Sequence, residues 1–323
     1  MKGKVILAIF VASAAFALPF FLLPGAKNVP PTQETAAQTE PSESAETPQV
    51  SFDDGLLLRV ETADGVEEMT LHDYLTGVVL AEMPTDFASE ALKAQAVAAR
   101  TYQVRQMQAA GSRAVLYDVG QAYLSEAEQK EKWGEGYALY AGKIHSAVHA
   151  TAGEIMTYDG EPILAAFHAQ SGGRTEDAAH VWNTAVPYLK SVDSKGDRQA
   201  PNNETTVTIA AKALAERLGI ADDEAVSVKK RTEAGYVAEV QAGSKTFSGR
   251  EIRERLGLRS ADFTIAKNGD SYIFTVHGYG HGAGMSQYGA SFLAEQGKKL
   301  CTLGRLIHNA SVVERLEKKG IRC

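Results

Sequence analysis

The chain has 323 residues, of which 44% are hydrophobic and 23% charged, a balance typical of a folded protein with one large or two ordinary domains. Its 33 basic and 40 acidic side chains give a net charge of -7, which argues against nucleic acid or another strongly anionic polymer as the main electrostatic partner. The two cysteines, Cys301 and Cys323, are too few for a zinc cluster or a disulfide framework to organise the fold.

The first 50 residues predict a membrane anchor and a tether. Lys2 and Lys4 precede an uncharged run over residues 5–24, which as a helix would span roughly 30 Å. Residues 1–24 therefore predict a single-pass anchor with a cytoplasmic N-terminus and the rest of the chain outside the cell membrane. A cleaved secretory signal is the alternative, although bulky residues stand where a cleavage site needs small ones. Residues 25–50 lack aromatic side chains and predict a disordered tether.

From residue 51 onward, helical and strand-like segments are segregated, which favours an α+β fold. A hairpin is predicted over residues 51–72, because Asp-Gly separates two strand-like runs. A helix is predicted from Asp73 to Glu82. It should end there because the residue before Pro84 is disfavoured in helical conformation. A second helix, rich in alanine, is predicted from Asp86 or Ser89 to Gln108.

The rest of the chain predicts one main domain, comprising 51–200 and 271–323, and an inserted smaller α+β subdomain over 201–270. The inserted part is charged and has few histidines or aromatic residues. The predicted elements are one helix and strands near 154–158 and 163–168 within 115–200, a helix at 205–218, a hairpin at 236–247, a helical unit at 247–256, a glycine-rich loop at 277–289 and a terminal helix.

Glu82 is the first candidate for chemistry. It lies on the apolar face of its predicted helix, at the C-terminal end. Partial burial and the negative end of the helix dipole both disfavour a carboxylate there, so the pKa of Glu82 should be raised. A general acid that works near neutral pH needs such a shift. The alternatives are a solvated glutamate or one paired with Lys93 or Arg100.

Two polar loops are further candidates. In Phe167–Glu176, adjacent glycines follow a strand and let the backbone approach a ligand closely, although an ordinary polar loop is the alternative. In His277–Gly289, five of thirteen residues are glycine, but neither a phosphate loop nor a nucleophile elbow is present. His145 and His149 have the spacing of a helical zinc pair, but no third ligand is within reach in the sequence, so no metal site is predicted.

Taken together, these segments resemble the stage II sporulation protein D family of cell-wall lytic transglycosylases. The resemblance extends in the family's order over residues 70–300. The matching segments are Tyr74–Val79 with Glu82-Met83-Pro84, Glu90–Tyr102, Gln170–Gly173 with Thr175-Glu176, Val181-Trp182, Pro187–Leu189 and His281–Ala290.

The resemblance implies cleavage of peptidoglycan between N-acetylmuramic acid and N-acetylglucosamine with formation of a 1,6-anhydro ring, and it puts Glu82 at the position of the catalytic acid. It also implies action in engulfment during sporulation, with a cell-wall amidase and a membrane protein as partners, on glycan free of stem peptides. Some members hold zinc through cysteine and histidine, but the middle of this chain has no cysteine, and no cofactor is expected. The positions expected to bind substrate are Lys93, Gln95, Arg100, Gln170, Ser171, Gly172, Thr175, Tyr188, His281, Gln287 and Tyr288.

Two other functions stay open at this point. One is a non-catalytic wall-binding module that stimulates an amidase, because amidase enhancers share this domain. The other is a conventional hydrolase, which needs a second carboxylate opposite the acid. Asp86, Glu90, Glu176 and Asp193 are the candidates for that second group.

Overall fold

The computed structural model describes residues 51–62, 65–110, 121–300 and 312–315. The predicted anchor, the predicted tether and both cysteines lie outside these residues. Within the described part of the chain, no helix combines the length and the apolar character needed to cross a membrane.

The described residues form two units, each with its own hydrophobic core, and both contain helices and small sheets. Short 3-10 helices occupy Gly134–Gly136 and Lys195–Gln199. The first unit contains β1 (Leu57–Thr62), β2 (Gly65–Thr70), α1 (Leu71–Glu82), α2 (Ser89–Ala110), α3 (Glu126–Trp133), α4 (Tyr137–Ala150), β3 (Glu154–Tyr158), β4 (Glu161–Pro162), β5 (Phe167–His168) and α5 (Ala178–Trp182). The second contains β6 (Glu204–Ala210), α6 (Ala211–Leu218), β7 (Val226–Arg231), β8 (Val237–Ala242), β9 (Lys245–Phe247), α7 (Gly249–Leu256), β10 (Asp262–Asn268) and β11 (Ser271–His277). The chain then returns to the first unit with β12 (Met285–Ser286), α8 (Gln287–Glu295) and β13 (Val312–Arg315).

The first hairpin and the helix after it are confirmed. β1 and β2 pair antiparallel, and the predicted turn at residues 63–64 lies outside the described residues. α1 begins at once because the Thr70 hydroxyl caps it, accepting the Asp73 N–H at 3.0 Å. It ends at Glu82 because Met83, before Pro84, is extended. Glu82 is therefore the last residue of its helix.

α2 is the central helix of the first unit. It contacts α1, α4 and α8, and its alanines at positions 91, 94, 96, 98 and 99 are buried. Small side chains let the neighbouring helices approach closely, as the alanine content predicts. The helix begins at Ser89, one of the two predicted starts.

The predictions for 115–200 are partly wrong. Three α-helices, not one, occur among its described residues. α3 was missed because its sequence is mostly polar, so it has no apolar period, and a capping box between Ser125 and Glu128 starts it instead. The strand at 154–158 is confirmed, but only Phe167 and His168 of the predicted strand at 163–168 are extended in a sheet. Residues 163–166 are buried, and an apolar run alone does not specify a strand.

The second unit differs from its prediction at both ends. The predicted helix at 205–218 is a strand followed by a helix, β6 and α6. The unbroken run of β-branched residues at 205–209 favours the strand, which pairs with β11. β11 also pairs with β10, so it is the central strand of this sheet, and we place the end of the unit at His277 rather than at residue 270. The hairpin β8–β9 and helix α7 are confirmed.

The two predicted polar loops lie side by side. β5 and β12 pair in parallel, with Phe167 opposite Met285 and His168 opposite Ser286. Beyond this pair, Gln170 forms an antiparallel bridge with Tyr279. α8 begins at Gln287, directly after this strand pair.

Candidate active site

Glu82 stands at the centre of the candidate site. Its Oε1 atom accepts a hydrogen bond from the Ala122 N–H at 2.7 Å, and the Gln287 side chain also hydrogen-bonds its carboxyl group. The side chain keeps partial access to solvent. The alternative in which Glu82 pairs with Lys93 or Arg100 does not occur, because Lys93 pairs with Glu90 and Arg100 with Asp53.

Burial raises the pKa of Glu82, and this effect exceeds the opposing effect of its two hydrogen bonds. The position at the C-terminal end of α1 acts in the same direction as burial, because the negative end of the helix dipole disfavours a second negative charge. Glu82 therefore has the environment of a carboxyl group that holds its proton to a higher pH than a solvated glutamate does. This is the requirement for a general acid.

Three other predicted residues are grouped around the start of α8, which contacts Glu82 through Gln287. Gln287 and Gln95 are buried, and the Gln287 amide Nε2 donates to the Gln95 Oε1 at 3.4 Å. Tyr288 is half-buried, with its ring edge-on to Phe87 at a centroid distance of 4.8 Å. The start of α8 thus supplies a hydrogen-bond donor to the carboxyl group and an aromatic face at the edge of the site.

Ser171 does not face a substrate. Its N–H and hydroxyl both donate to Asp197 Oδ2, at 2.7 and 2.5 Å, while Asp197 Oδ1 accepts from the Ser286 hydroxyl at 2.6 Å. All three side chains are buried. The network joins the two polar loops, so the prediction that Ser171 binds substrate is replaced by a role in positioning them.

The neighbouring predicted residues are also engaged within the protein. Gln170 is buried and accepts from the Asn203 amide at 2.9 Å. Thr175 is buried, and its hydroxyl accepts the Val192 N–H at 2.9 Å. Gly172 lies so close to the Asp262 carboxylate that a side chain would not fit. These residues shape the junction of the two units and do not offer free groups to a glycan.

Arg100 and Tyr188 are buried, which corrects their assignment to substrate binding. The Arg100 guanidinium is fully buried and pairs with Asp53, with 2.6 Å between Nη2 and Oδ2. The Tyr188 hydroxyl accepts the Leu164 N–H at 2.8 Å, and its ring packs against Tyr158. Both side chains stabilise the interior of the first unit.

Replacing Tyr188 with phenylalanine should therefore destabilise the fold without affecting glycan binding. The Leu164 N–H would lose its partner, so the free energy of unfolding should fall by about 1–3 kcal/mol. Denaturant unfolding measures this change. Tyr158→Phe, which alters the half-buried neighbouring ring, should change stability by less than about 0.5 kcal/mol. Weaker glycan binding by Tyr188→Phe at unchanged stability would contradict the structural role.

His281 lies beside Trp182 and His168, with ring-centroid distances of 5.1 and 5.8 Å. Burial lowers the pKa of His281 to about 3, so the imidazole is neutral at physiological pH. Its Nδ1 accepts the Ala283 N–H at 3.1 Å, which puts the proton on Nε2. Lys93, by contrast, is already held by Glu90 at 2.8 Å.

Three of the four candidates for a second carboxylate are occupied by other contacts. Glu90 pairs with Lys93, Asp193 lies 3.4 Å from Arg174, and buried Glu176 accepts from the Thr232 hydroxyl at 2.5 Å. Asp86 is exposed and close enough to Tyr288 for its charge to raise the pKa of that phenol.

The histidine pair on α4 adjoins a third histidine. His145 and His149 are exposed, and buried His72 lies beneath them, with ring-centroid distances of 4.1 and 6.3 Å. Among the residues that the structure describes, no group of three or more His, Cys, Asp or Glu side chains is arranged to hold a metal ion.

Two features of the site were missed by sequence reasoning. The Ala122 N–H is a backbone donor and leaves no signal in the sequence. Arg259 lies in the second unit, with its guanidinium over the Tyr279 ring at 4.5 Å, and its charge acts on Tyr288. It belongs to the predicted inserted subdomain, where charged residues are frequent, so residue type alone does not single out one arginine.

Comparison with known proteins agrees with the sequence resemblance. The family model described as "Stage II sporulation protein" matches residues 60–158. The chain is 43% identical over 278 residues to the stage II sporulation protein D of Bacillus subtilis, which covers 83% of this chain and 81% of that protein. It is 39% identical over 311 residues to the protein of the same name from Bacillus amyloliquefaciens, covering 93% and 90%. It is also 28% identical to the amidase enhancer of Bacillus subtilis, over 69% of this chain and 38% of that protein. The chain therefore belongs to the stage II sporulation protein D family, a family of sporulation proteins.

Proposed function

We propose that this protein is a peptidoglycan lytic transglycosylase that cleaves the bond between N-acetylmuramic acid and N-acetylglucosamine. The observation that carries the proposal is Glu82, a partly accessible carboxyl group with a raised pKa. Of the four other carboxylates considered, Glu90, Glu176 and Asp193 are held by other contacts. Such an arrangement favours a mechanism in which one carboxyl group acts first as the acid and then as the base.

The first step is protonation of the glycosidic oxygen by Glu82 as the bond from that oxygen to the muramyl C1 breaks. The N-acetylglucosamine leaves with a hydroxyl group that carries the proton from Glu82. In the second step, the Glu82 carboxylate takes the proton from the muramyl C6 hydroxyl, whose oxygen forms a bond to C1 and closes the 1,6-anhydro ring. The C6 hydroxyl is already part of the bound sugar, so its proximity replaces an activated water molecule.

The hydrogen bonds to Glu82 fit both steps. Burial favours the protonated form that the first step needs, whereas the Ala122 N–H and the Gln287 amide stabilise the carboxylate that the second step needs. Gln287 is itself hydrogen-bonded to Gln95 Oε1, at 3.4 Å.

We further propose that the protein is anchored in the cell membrane by residues 1–24 and acts on the wall outside. Its partners would be glycan strands, a cell-wall amidase that removes stem peptides, and a membrane protein of the engulfment machinery. The similarity to a protein named amidase enhancer supports this association with the wall. It also supports the alternative, a wall-binding module without catalytic activity.

Mass spectrometry of products distinguishes these functions. The full chain is incubated with glycan strands free of stem peptides, and the proposal predicts fragments with 1,6-anhydromuramic ends, which lack one water relative to reducing ends. Reducing ends alone would show that water is the nucleophile, and Asp86 would then be the first candidate for the second carboxylate. Glycan binding without fragments would support the amidase enhancer.

A further inference from the structure

Arg259 is a half-buried cation with no acidic partner among the described residues. Its guanidinium lies over the Tyr279 ring at 4.5 Å, and no carboxylate of the described residues lies within 4.0 Å of it. Burial lowers the pKa of Arg259, yet an arginine stays charged in proteins. Removing such a charge from water is costly unless it is paired, so this group is suited to receive an anion from a ligand.

Arg259 lies beside the glycine-rich loop that leads to α8, because its carbonyl group accepts the Gly280 N–H at 3.0 Å. Its positive charge lowers the pKa of Tyr288, opposing the effects of burial and of Asp86. Tyr288 follows Gln287, whose side chain hydrogen-bonds Glu82. The cation therefore lies in the second unit, next to the loop that precedes the helix start in contact with Glu82.

A second half-buried arginine reinforces the positive charge. Arg253, on α7, also has no carboxylate of the described residues within 4.0 Å. Its charge reaches Tyr279 as well as His281, whose pKa it lowers. Two arginines near Tyr279 give this region local positive charge in a chain whose net charge is -7.

We propose that Arg259 is a specificity residue that binds the lactyl carboxylate of N-acetylmuramic acid. This inference rests on the proposed function, because it concerns the substrate of the same site. In intact peptidoglycan the lactyl carboxyl group is joined to the stem peptide as a neutral amide, and removal of the peptide leaves a carboxylate. A guanidinium binds a carboxylate through two charge-assisted hydrogen bonds but gains much less from an amide. Arg259 thus selects glycan from which the stem peptides have been removed.

The test measures binding, not cleavage. It uses Glu82→Gln protein, which should leave the glycan intact, and two probes: stripped glycan fragments with free lactyl carboxylates, and the same fragments with those groups converted to methylamides. Calorimetric titration should show about tenfold or more tighter binding of the carboxylate probe. Adding Arg259→Gln should weaken binding of that probe by about tenfold to a hundredfold and leave binding of the methylamide probe unchanged. Higher salt should reduce the preference.

Control variants separate this role from general effects. Arg217→Gln removes the same charge from an exposed position on α6 and should bind both probes like the parent. Arg259→Lys keeps the charge but not the planar fork and should retain part of the preference. If Arg259→Gln does not fold, as judged by thermal unfolding, Arg259→Lys and Arg253→Gln provide the comparison.

The outcomes also separate this inference from the proposed function. Equal weakening for both probes, an unchanged preference, or no binding of stripped glycan would overturn the role of Arg259. Wild-type protein that distinguishes the two probes but releases no fragments would contradict the transglycosylase while leaving the carboxylate site in place.

Discussion

Glu82→Gln protein should cleave stripped glycan at least about 100-fold more slowly than wild type, because glutamine has the shape of the glutamate but supplies no proton. The amide can still contact the Ala122 N–H through its oxygen and lie beside Gln287, so binding of glycan should survive. Release of anhydro-terminated fragments measures the rate. Undiminished cleavage by this variant would remove Glu82 from the mechanism.

The pH dependence of the wild-type reaction should report the titration of Glu82. Glu82 starts the reaction protonated, and burial raises its pKa, so cleavage should decline with increasing pH only above the ordinary glutamate value of about 4.3. A rate that falls around that ordinary value would show that the acid is a solvated carboxyl group.

The stability of the folded protein should also depend on the titration of Glu82. Since the pKa of Glu82 is higher in the folded than in the unfolded chain, its contribution to stability is complete below the unfolded value and is lost as the pH rises through the folded value. Wild type should therefore lose stability relative to Glu82→Gln over this range. Equal pH profiles of unfolding for the two proteins would argue against the raised pKa.

Asp53→Asn should cause the largest loss of stability of any substitution considered for this chain. The Asp53 carboxylate and the Arg100 guanidinium are both fully buried, and Asp53 also accepts the Gly153 N–H at 3.2 Å. Asparagine would leave a buried guanidinium without a counter-charge, and breaking a buried pair in this way costs about 3–5 kcal/mol. Denaturant unfolding of the purified protein gives the value.

Asp54→Asn is the matched control. Asp54 is the next residue, is exposed, and accepts the Ser51 hydroxyl at 2.7 Å, a bond that the asparagine oxygen can still accept. Its substitution should change the free energy of unfolding by less than about 0.5 kcal/mol. A similar small effect for Asp53→Asn would show that the buried pair is not needed for stability.

The sequence predicts an element well when neighbouring residues determine where that element begins and ends. α1 begins beside Thr70 and ends before Pro84, so Glu82 at its C-terminal end follows from neighbouring residues alone. α7 likewise follows from the capping box of Ser248 and Glu251. β6 was misassigned because residues at 205–209 form a strand only in a sheet with β11, which lies more than sixty residues later in the chain.

The sequence by itself determined the family, the position of Glu82 at a helix end and the order of the segments that build the site. Only the tertiary structure decided what each polar residue does. Ser171, Arg100 and Tyr188 looked like ligand-binding residues, but Asp197, Asp53 and Leu164 are their partners. The sequence analysis assigned no role to Arg259, and the fold brings it to Tyr279 and within range of the charge effect on Tyr288. The physical reason is that burial and hydrogen-bond partners depend on residues far apart in the chain, whereas residue type and spacing record only what is local.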